Sequence, residues 1–373
     1  TSPYLLGNYR IENILPGGSE DMIDVSGAPN KKLRWEKTHS VNAGFDFAVL
    51  NQAINLSVDY YYRKGVDLIG TQMLPLETGF EMLTVNWASM QNQGVEVALS
   101  TRNIHTKNFM WTTNFNFAYN NNKILKEALR EDALEPGREG YPVGALFALK
   151  TAGLDEEGYP MFEGKDGKAV SAMEFFKLQE WGFGATDLTA RERRELYTYV
   201  GTADCPYTGG FNNTFTYKAF ELGVNFSFDF GGKVRSQPTY SIVDFDKGRN
   251  TNRDILNRWT PENTETIFPV LLSQNERLDE YMWYSNQNEI YRNLDIWIRD
   301  LNYVRLQNIR LGYTLPTNFS RKLGMTSATI AIEGRNLLVF GSSYKNYLDP
   351  ETMSNAYATP APKSVTLSLN LNF

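Results

Sequence analysis

The segment Ser364-Val-Thr-Leu-Ser-Leu-Asn-Leu-Asn-Phe373 alternates polar and apolar residues without a break. Successive side chains of a strand point to opposite faces, so Val365, Leu367, Leu369, Leu371 and Phe373 share one face and Ser364, Thr366, Ser368, Asn370 and Asn372 the other. The same period returns eight more times. Phe45 and Phe47 lie in one apolar row, Leu56 and Val58 in a second, Val95, Val97 and Leu99 in a third, and Trp111, Phe115 and Phe117 in a fourth. Phe220, Leu222, Val224, Phe226, Phe228 and Phe230 repeat it as cleanly as the last strand. The pattern predicts strands near 34–50, 54–69, 85–102, 109–125, 207–217, 220–234, 303–315, 327–340 and 364–373. Within 303–315 the apolar phase slips from Val304 and Leu306 to Ile309 and Leu311, which predicts a bulge near Gln307 or Asn308.

The connections alternate strictly in length. Those at 50–53, 103–108, 218–219 and 316–326 are short; those at 70–84, 126–206, 235–302 and 341–363 are long. An up-and-down barrel across a membrane carries turns on one rim and loops on the other. A Greek-key sandwich has no reason to sort its connections this way. The expected fold is therefore all-β, an antiparallel transmembrane β-barrel, with residues 1–33 on the loop side and long extracellular loops at 126–206 and 235–302. Nine strands cannot close antiparallel throughout, and bacterial single-chain barrels have even strand numbers. The chain is expected to be the C-terminal part of a larger barrel.

Composition agrees. Mean hydropathy is −0.42, and no run approaches the ~18 apolar residues of a membrane helix. A barrel strand shows lipid only every second residue, so this does not exclude one. Net charge of −6 argues against a nucleic-acid partner. The single Cys205 makes no disulfide and, alone, no metal site. The first residues, Thr1-Ser-Pro-Tyr, have no initiator Met and no signal-peptide pattern, which leads us to expect processing or truncation upstream.

Several segments carry a family resemblance: Leu33-Arg-Trp-Glu-Lys-Thr38, Leu56-Ser-Val-Asp-Tyr-Tyr-Tyr-Arg-Lys64, Asn92-Gln-Gly-Val-Glu-Val97, Ala152-Gly-Leu-Asp155, Gly209-Gly-Phe-Asn-Asn-Thr-Phe-Thr-Tyr217, Asn257-Arg-Trp-Thr-Pro-Glu-Asn263, Tyr303-Val-Arg-Leu-Gln-Asn-Ile309, Gly334-Arg-Asn-Leu337 and the terminal Phe373. In order and spacing, the chain resembles the C-terminal barrel portion of SusC-like TonB-dependent outer-membrane transporters of the Bacteroidetes type. The resemblance implies a 22-stranded barrel, of which these would be the last nine strands. It also implies an N-terminal plug and a TonB-contacting region absent from these residues, and a SusD-like surface lipoprotein as lid. The implied activity is import of oligosaccharides or peptides across the outer membrane. Phe373 resembles the signal read by the barrel assembly machinery.

No catalytic residue, metal site or cofactor is expected. His39 and His105 lie at a strand start and in a tight turn, outside any metal-ligand spacing. Lys165-Asp-Gly-Lys168 reads as a hairpin turn rather than a calcium loop, which would need more spaced carboxylates. Thr189-Ala-Arg-Glu-Arg-Arg-Glu-Leu196 reads as a capped, charged surface helix. The candidates for substrate or lid contact are Trp259, Tyr281, Trp283, Tyr284, Tyr291 and Trp297 in the loop 235–302. Aromatic rings among amides and carboxylates suit the C–H faces and hydroxyls of sugars. The same rings could instead build a core for the loop itself, or a membrane girdle. Two other classes stay open: a secreted or surface β-rich glycan-binding module without transport, and a passive porin. The first requires strands whose apolar faces are buried in protein.

Overall fold

The computed structural model describes residues 7–15, 18–25, 28–80, 82–127, 129, 131–178, 186–236, 248, 253–271, 292–341, 349–353 and 358–373. A hairpin of β1 (Gly7–Leu15) and β2 (Gly18–Val25) comes first, within the residues expected on the loop side, where the apolar pattern predicts no strand. The long strands β3 (Lys37–Val49), β4 (Ile54–Met73), β5 (Met82–His105) and β6 (Phe109–Lys126) follow. Next come β7 (Ala145–Leu149), β8 (Thr151–Leu154), β9 (Pro160–Glu163), β10 (Ala169–Val170), helices α1 (Ala172–Phe175) and α2 (Ala190–Glu195), and β11 (Tyr197–Thr202). The chain ends with β12 (Tyr207–Tyr217), β13 (Phe220–Arg235), β14 (Ile298–Thr314), α3 (Thr317–Lys322), β15 (Ser327–Phe340) and β16 (Ser364–Asn372).

The long strands form one nine-stranded sheet in the order β16-β15-β14-β13-β12-β6-β5-β4-β3. Neighbours in the sheet are neighbours in sequence among the long strands, as a meander requires. β3 and β16 are its open edges. The described residues fall into two compact units, Thr1–Asn42 with Tyr61–Gln93 and Asn121–Val143, and Ala43–Tyr60 with Gly94–Asn120 and Gly144–Phe373.

Much of the apolar strand face is open among the described residues, although Leu306 and Ala328 on it are buried. Leu367 is 76% exposed and Leu369 60% exposed. Exposing such side chains to water costs roughly 25 cal/mol per Å², so an uncovered apolar face calls for an apolar medium. A soluble β-module would bury this face in protein. A cluster of buried apolar residues lies within the long loops: Leu149, Tyr159, Phe162, Phe176, Leu294 and Trp297.

The slip in β14 has its structural counterpart at Gln307. Asn225 pairs with Asn308 and Phe226 with Leu306, so Gln307 is the extra residue and its side chain donates to Ser227 Oγ at 2.7 Å. β14 starts five residues before the predicted boundary, at Ile298, because Lys233, Val234 and Arg235 continue to pair with it past a second irregularity between Asp229 and Gly232. A bulge interrupts alternation without ending a strand, so hydrophobic period alone stops too early.

Candidate transport wall and loop platform

Two adjacent rows cross the sheet. Asn114, Asn212, Asn225 and Asn308 are register partners across β6, β12, β13 and β14. The next pairs along, Phe115, Phe211, Phe226 and, past the bulge at Gln307, Leu306, are partners on the opposite face. One pairing step along β6, β12 and β13, and one past the bulge on β14, thus exchanges an uncharged amide surface for a hydrocarbon one. On the apolar face Phe211 stacks on Phe226 at 4.8 Å and Trp111 on Phe215 at 5.5 Å. Such pairs contribute about 0.5–1.5 kcal/mol each beyond their burial. Gly209 permits the packing next to them, since a Cβ there would lie 2.6 Å from Phe228 Cζ and 2.3 Å from the Asn116 carbonyl oxygen.

The polar face also holds a charged cluster that sequence reading did not single out. Asp229 pairs with Tyr303 and Ser227 with Arg305 in register. The Tyr303 hydroxyl lies 2.5 Å from Asp229 Oδ2 and 3.1 Å from Glu351 Oε1. Arg305 is 2% exposed; its Nε donates to Glu351 Oε1 at 2.9 Å and its Nη2 to Asp349 Oδ1. The backbone amides of Glu351 and Ala361 donate to the Asp349 carboxylate at 3.1 and 3.3 Å. Burial opposes ionisation of Asp349, but Arg305 and these amides outweigh it and hold the carboxyl below its ordinary range. Part of the connection between β15 and β16 is thereby pinned to the sheet's polar face. The available signal was the polar phase Tyr303, Arg305, Gln307 on β14; nothing in sequence gave Asp349 and Glu351 as the partners.

The two longest loops share one core. Leu149 N donates to Asn293 O at 2.8 Å, Val270 N to Gly158 O at 2.9 Å and Thr151 Oγ1 to Asp295 Oδ1 at 2.6 Å. Trp297 is fully buried, 5.9 Å from Phe268 between ring centroids, and its carbonyl accepts from both the amide and hydroxyl of Ser236 at 2.9 Å. It supports the loops from within and presents no surface to a ligand in this structure. Trp259 is half-buried and lies flat on Gly158, whose φ of +87° and missing side chain admit the ring. Tyr281, Trp283, Tyr284 and Tyr291 lie outside the described residues. Phe373 is 83% exposed beyond the end of β16.

The remaining sequence candidates behave as surface. Asp166 and Gly167, with φ +75° at the glycine, turn the chain between β9 and β10. The Thr189 side chain caps α2 while Glu192 returns a bond to the Thr189 amide at 2.9 Å. A cleft of about 750 Å³ opens beside these elements, lined among others by Lys150, Glu163, Lys177 and Glu192. Lys150 pairs with Glu163 at 2.6 Å and Lys177 with Glu192 at 3.6 Å, so these four charges satisfy one another on a solvated face. No group of three or more metal-ligating side chains occurs among the described residues.

An open antiparallel sheet with one hydrocarbon and one amide face has the build of a transmembrane β-barrel wall. A family model described as "TonB dependent receptor-like, beta-barrel" matches residues 8–146. The chain is 28% identical over 92% of its length to TonB-dependent receptor P3 of Formosa agariphila, of which it covers 35%. It is 26% identical over 92% of its length to TonB-dependent receptor SusC of Bacteroides thetaiotaomicron, covering 32% of that protein. Among solved structures, the RagAB peptide transporter shares the fold with a TM-score of 0.73 at 22% identity, over 99% of this chain and 38% of that one. The chain is thus SusC-like across nearly all of its residues, an outer-membrane barrel region spanning about a third of the length of these relatives.

Proposed function

We propose that this chain forms part of an outer-membrane importer that takes up nutrient oligosaccharides or peptides, driven by TonB and covered by a SusD-like lipoprotein. The observation that carries the reading is the pair of rows across β6, β12, β13 and β14: amides on one face, phenyl rings and leucine on the other. Lipid takes the apolar face and a hydrated passage the other. Asn side chains offer donor and acceptor without fixed charge, which suits hydroxyls and peptide groups alike. Energy would come through regions of the longer protein that contact TonB, and Phe373 would serve the barrel assembly machinery. Trp259 and the aromatics at 281, 283, 284 and 291 remain the candidates for substrate or lid contact. The likeness to the RagAB peptide transporter keeps peptides beside glycans as substrates.

The test is uptake by cells carrying the full-length protein. Import of a labelled oligosaccharide or oligopeptide mixture should require both the gene and an intact TonB system, and a surface lipoprotein should co-purify with the protein. Equal uptake after TonB is removed would identify a passive porin instead.

A further inference from the structure

The short turns form a rim with its own chemistry. Phe109, Tyr217, Phe220 and Tyr313 are consecutive register partners across β6, β12, β13 and β14, so they make one aromatic row just inside the turns. Phe220 and Tyr313 lie 4.6 Å apart between ring centroids. Immediately beyond this row the charges are of one sign. Lys107 lies in the turn between β5 and β6, Lys218 occupies the turn between β12 and β13, and Arg321 and Lys322 end α3 between β14 and β15. Arg102, three residues before the end of β5, reaches the turn between β3 and β4, where its Nη2 donates to Asn51 O at 3.3 Å; all five are exposed. The Lys218 ammonium sits 5.4 Å from the Tyr217 ring centroid. Close to these turns the carboxylate of Glu221, the second residue of β13, pairs with Arg310 at 3.0 Å. Asp46 and Asp59 stand several residues up β3 and β4, and the terminal carboxyl of Phe373 adds one negative group. This excess of positive charge occurs in a chain whose net charge is −6.

Helix α3 adds apolar contact at the same rim. Phe319 is 52% exposed and Leu323 58% exposed, four residues apart and beside Arg321 and Lys322. A wet rim has no use for exposed phenyl and isobutyl groups on either side of two cations. A membrane–water boundary does, since rings and alkyl groups enter the acyl edge while basic side chains reach the phosphates.

We propose that this rim is a seat for anionic phospholipid in the leaflet that faces the turns. The aromatic row and the Phe319–Leu323 pair set its depth, and Arg102, Lys107, Lys218, Arg321 and Lys322 hold lipid phosphates. The proposal rests on the membrane reading above and goes beyond it, because a barrel can span lipid without preferring any headgroup.

The test uses the full-length protein, stripped of lipid and offered phosphatidylglycerol and phosphatidylcholine of matched chains, with retained lipid counted by native mass spectrometry. Wild type is expected to retain phosphatidylglycerol preferentially. The variant R102Q/K107Q/K218Q/R321Q/K322Q should lower that preference by at least about fivefold, the weight of roughly one fully engaged cation. A control with Lys150, Lys165, Lys168, Lys177 and Arg191 changed to Gln, on the loop side, should keep it. No preference in wild type, an undiminished preference in the rim variant, or an equal loss in the control would each overturn the proposal. If the rim variant does not assemble, wild type at low salt and at about 0.5 M salt decides: the preference should collapse at the higher value, and a salt-independent preference refutes it. Retention of neither lipid would instead strike at the membrane reading itself.

Discussion

Arg305 on β14 donates from Nη2 to Asp349, a residue 44 positions later in the chain, and both side chains are almost fully removed from solvent. A buried ion pair gives little net stability compared with a well-packed apolar pair, but removing one partner strands the other charge. Arg305→Met is therefore expected to release the segment around Asp349 at a cost of about 3 kcal/mol or more in local opening. Hydrogen exchange at the amides of Glu351 and Thr352, in the full-length protein, reads this directly. Unchanged protection would mean that the segment is held by something other than Arg305.

The same pair predicts a pH dependence. The Asp349 carboxyl titrates below its ordinary range in the folded protein. A depressed carboxylate contributes stability that is present above its unfolded value, near 4, and is lost as pH falls through the folded value. Protection around Glu351 should thus be constant from neutral pH down to about 5 and fall below about 4. In Asp349→Asn the acid-dependent fall should disappear. A loss of protection between pH 6 and 8 would point to some other group.

Much of the sheet was legible because strand alternation is a local property. Phe115, Phe211 and Phe226 announce their faces within their own segments, and even the bulge at Gln307 leaves a trace as a phase slip. The loops were less legible for the opposite reason. Trp297 and Trp259 look alike in sequence, yet one is buried beside Phe268 and the other is laid on Gly158, whose freedom at positive φ is needed about a hundred residues away. Nor does any local pattern connect Arg305 to Asp349. The hairpin of β1 and β2 escaped because residues 7–25 mix charges with isolated Tyr9, Ile11 and Ile23 instead of alternating cleanly.

Cys205 should be chemically quiet. Burial, the nearby Asp229 carboxylate and, more weakly, Asp204 push its thiol up to about 11, against the weaker opposing effect of the Gly232 amide. Only the thiolate attacks maleimides or disulfides at a useful rate. At pH 7.5 labelling of the folded protein should be at least about 100-fold slower than that of a free cysteine, whose pKa is near 8.5. Denaturation should abolish the difference. Rapid labelling of the native protein would show that the segment between β11 and β12 opens readily.

Gly209 should tolerate no side chain. A Cβ at this position would meet the Asn116 carbonyl at 2.3 Å and Phe228 Cζ at 2.6 Å, so β6 or the Phe228 ring has to move. Overpacking of this kind costs about 1–3 kcal/mol. Gly209→Val should reduce the yield of folded full-length barrel and lower its melting temperature. Gly223→Val on the facing strand β13, where a Cβ would meet nothing within 4 Å, should be much milder. Equal effects at the two positions would mean that loss of glycine flexibility, and not close approach, is responsible.

Trp297 separates a loop-building role from a ligand-binding one. It packs with Leu149, Tyr159, Phe162, Phe176 and Leu294, residues drawn from both of the longest loops. Truncating a buried aromatic costs about 3–5 kcal/mol, and here that cost falls on the contact between the loops. Trp297→Ala should therefore raise proteolytic cleavage in 144–206 and in 253–271 together. Trp297→Phe, which refills most of the space, should restore protection to both. If Trp297 met substrate instead, Trp297→Ala would weaken ligand binding while leaving protease resistance intact. That outcome would remove Trp297 from the loop core and return it to the group of contact residues with Trp259.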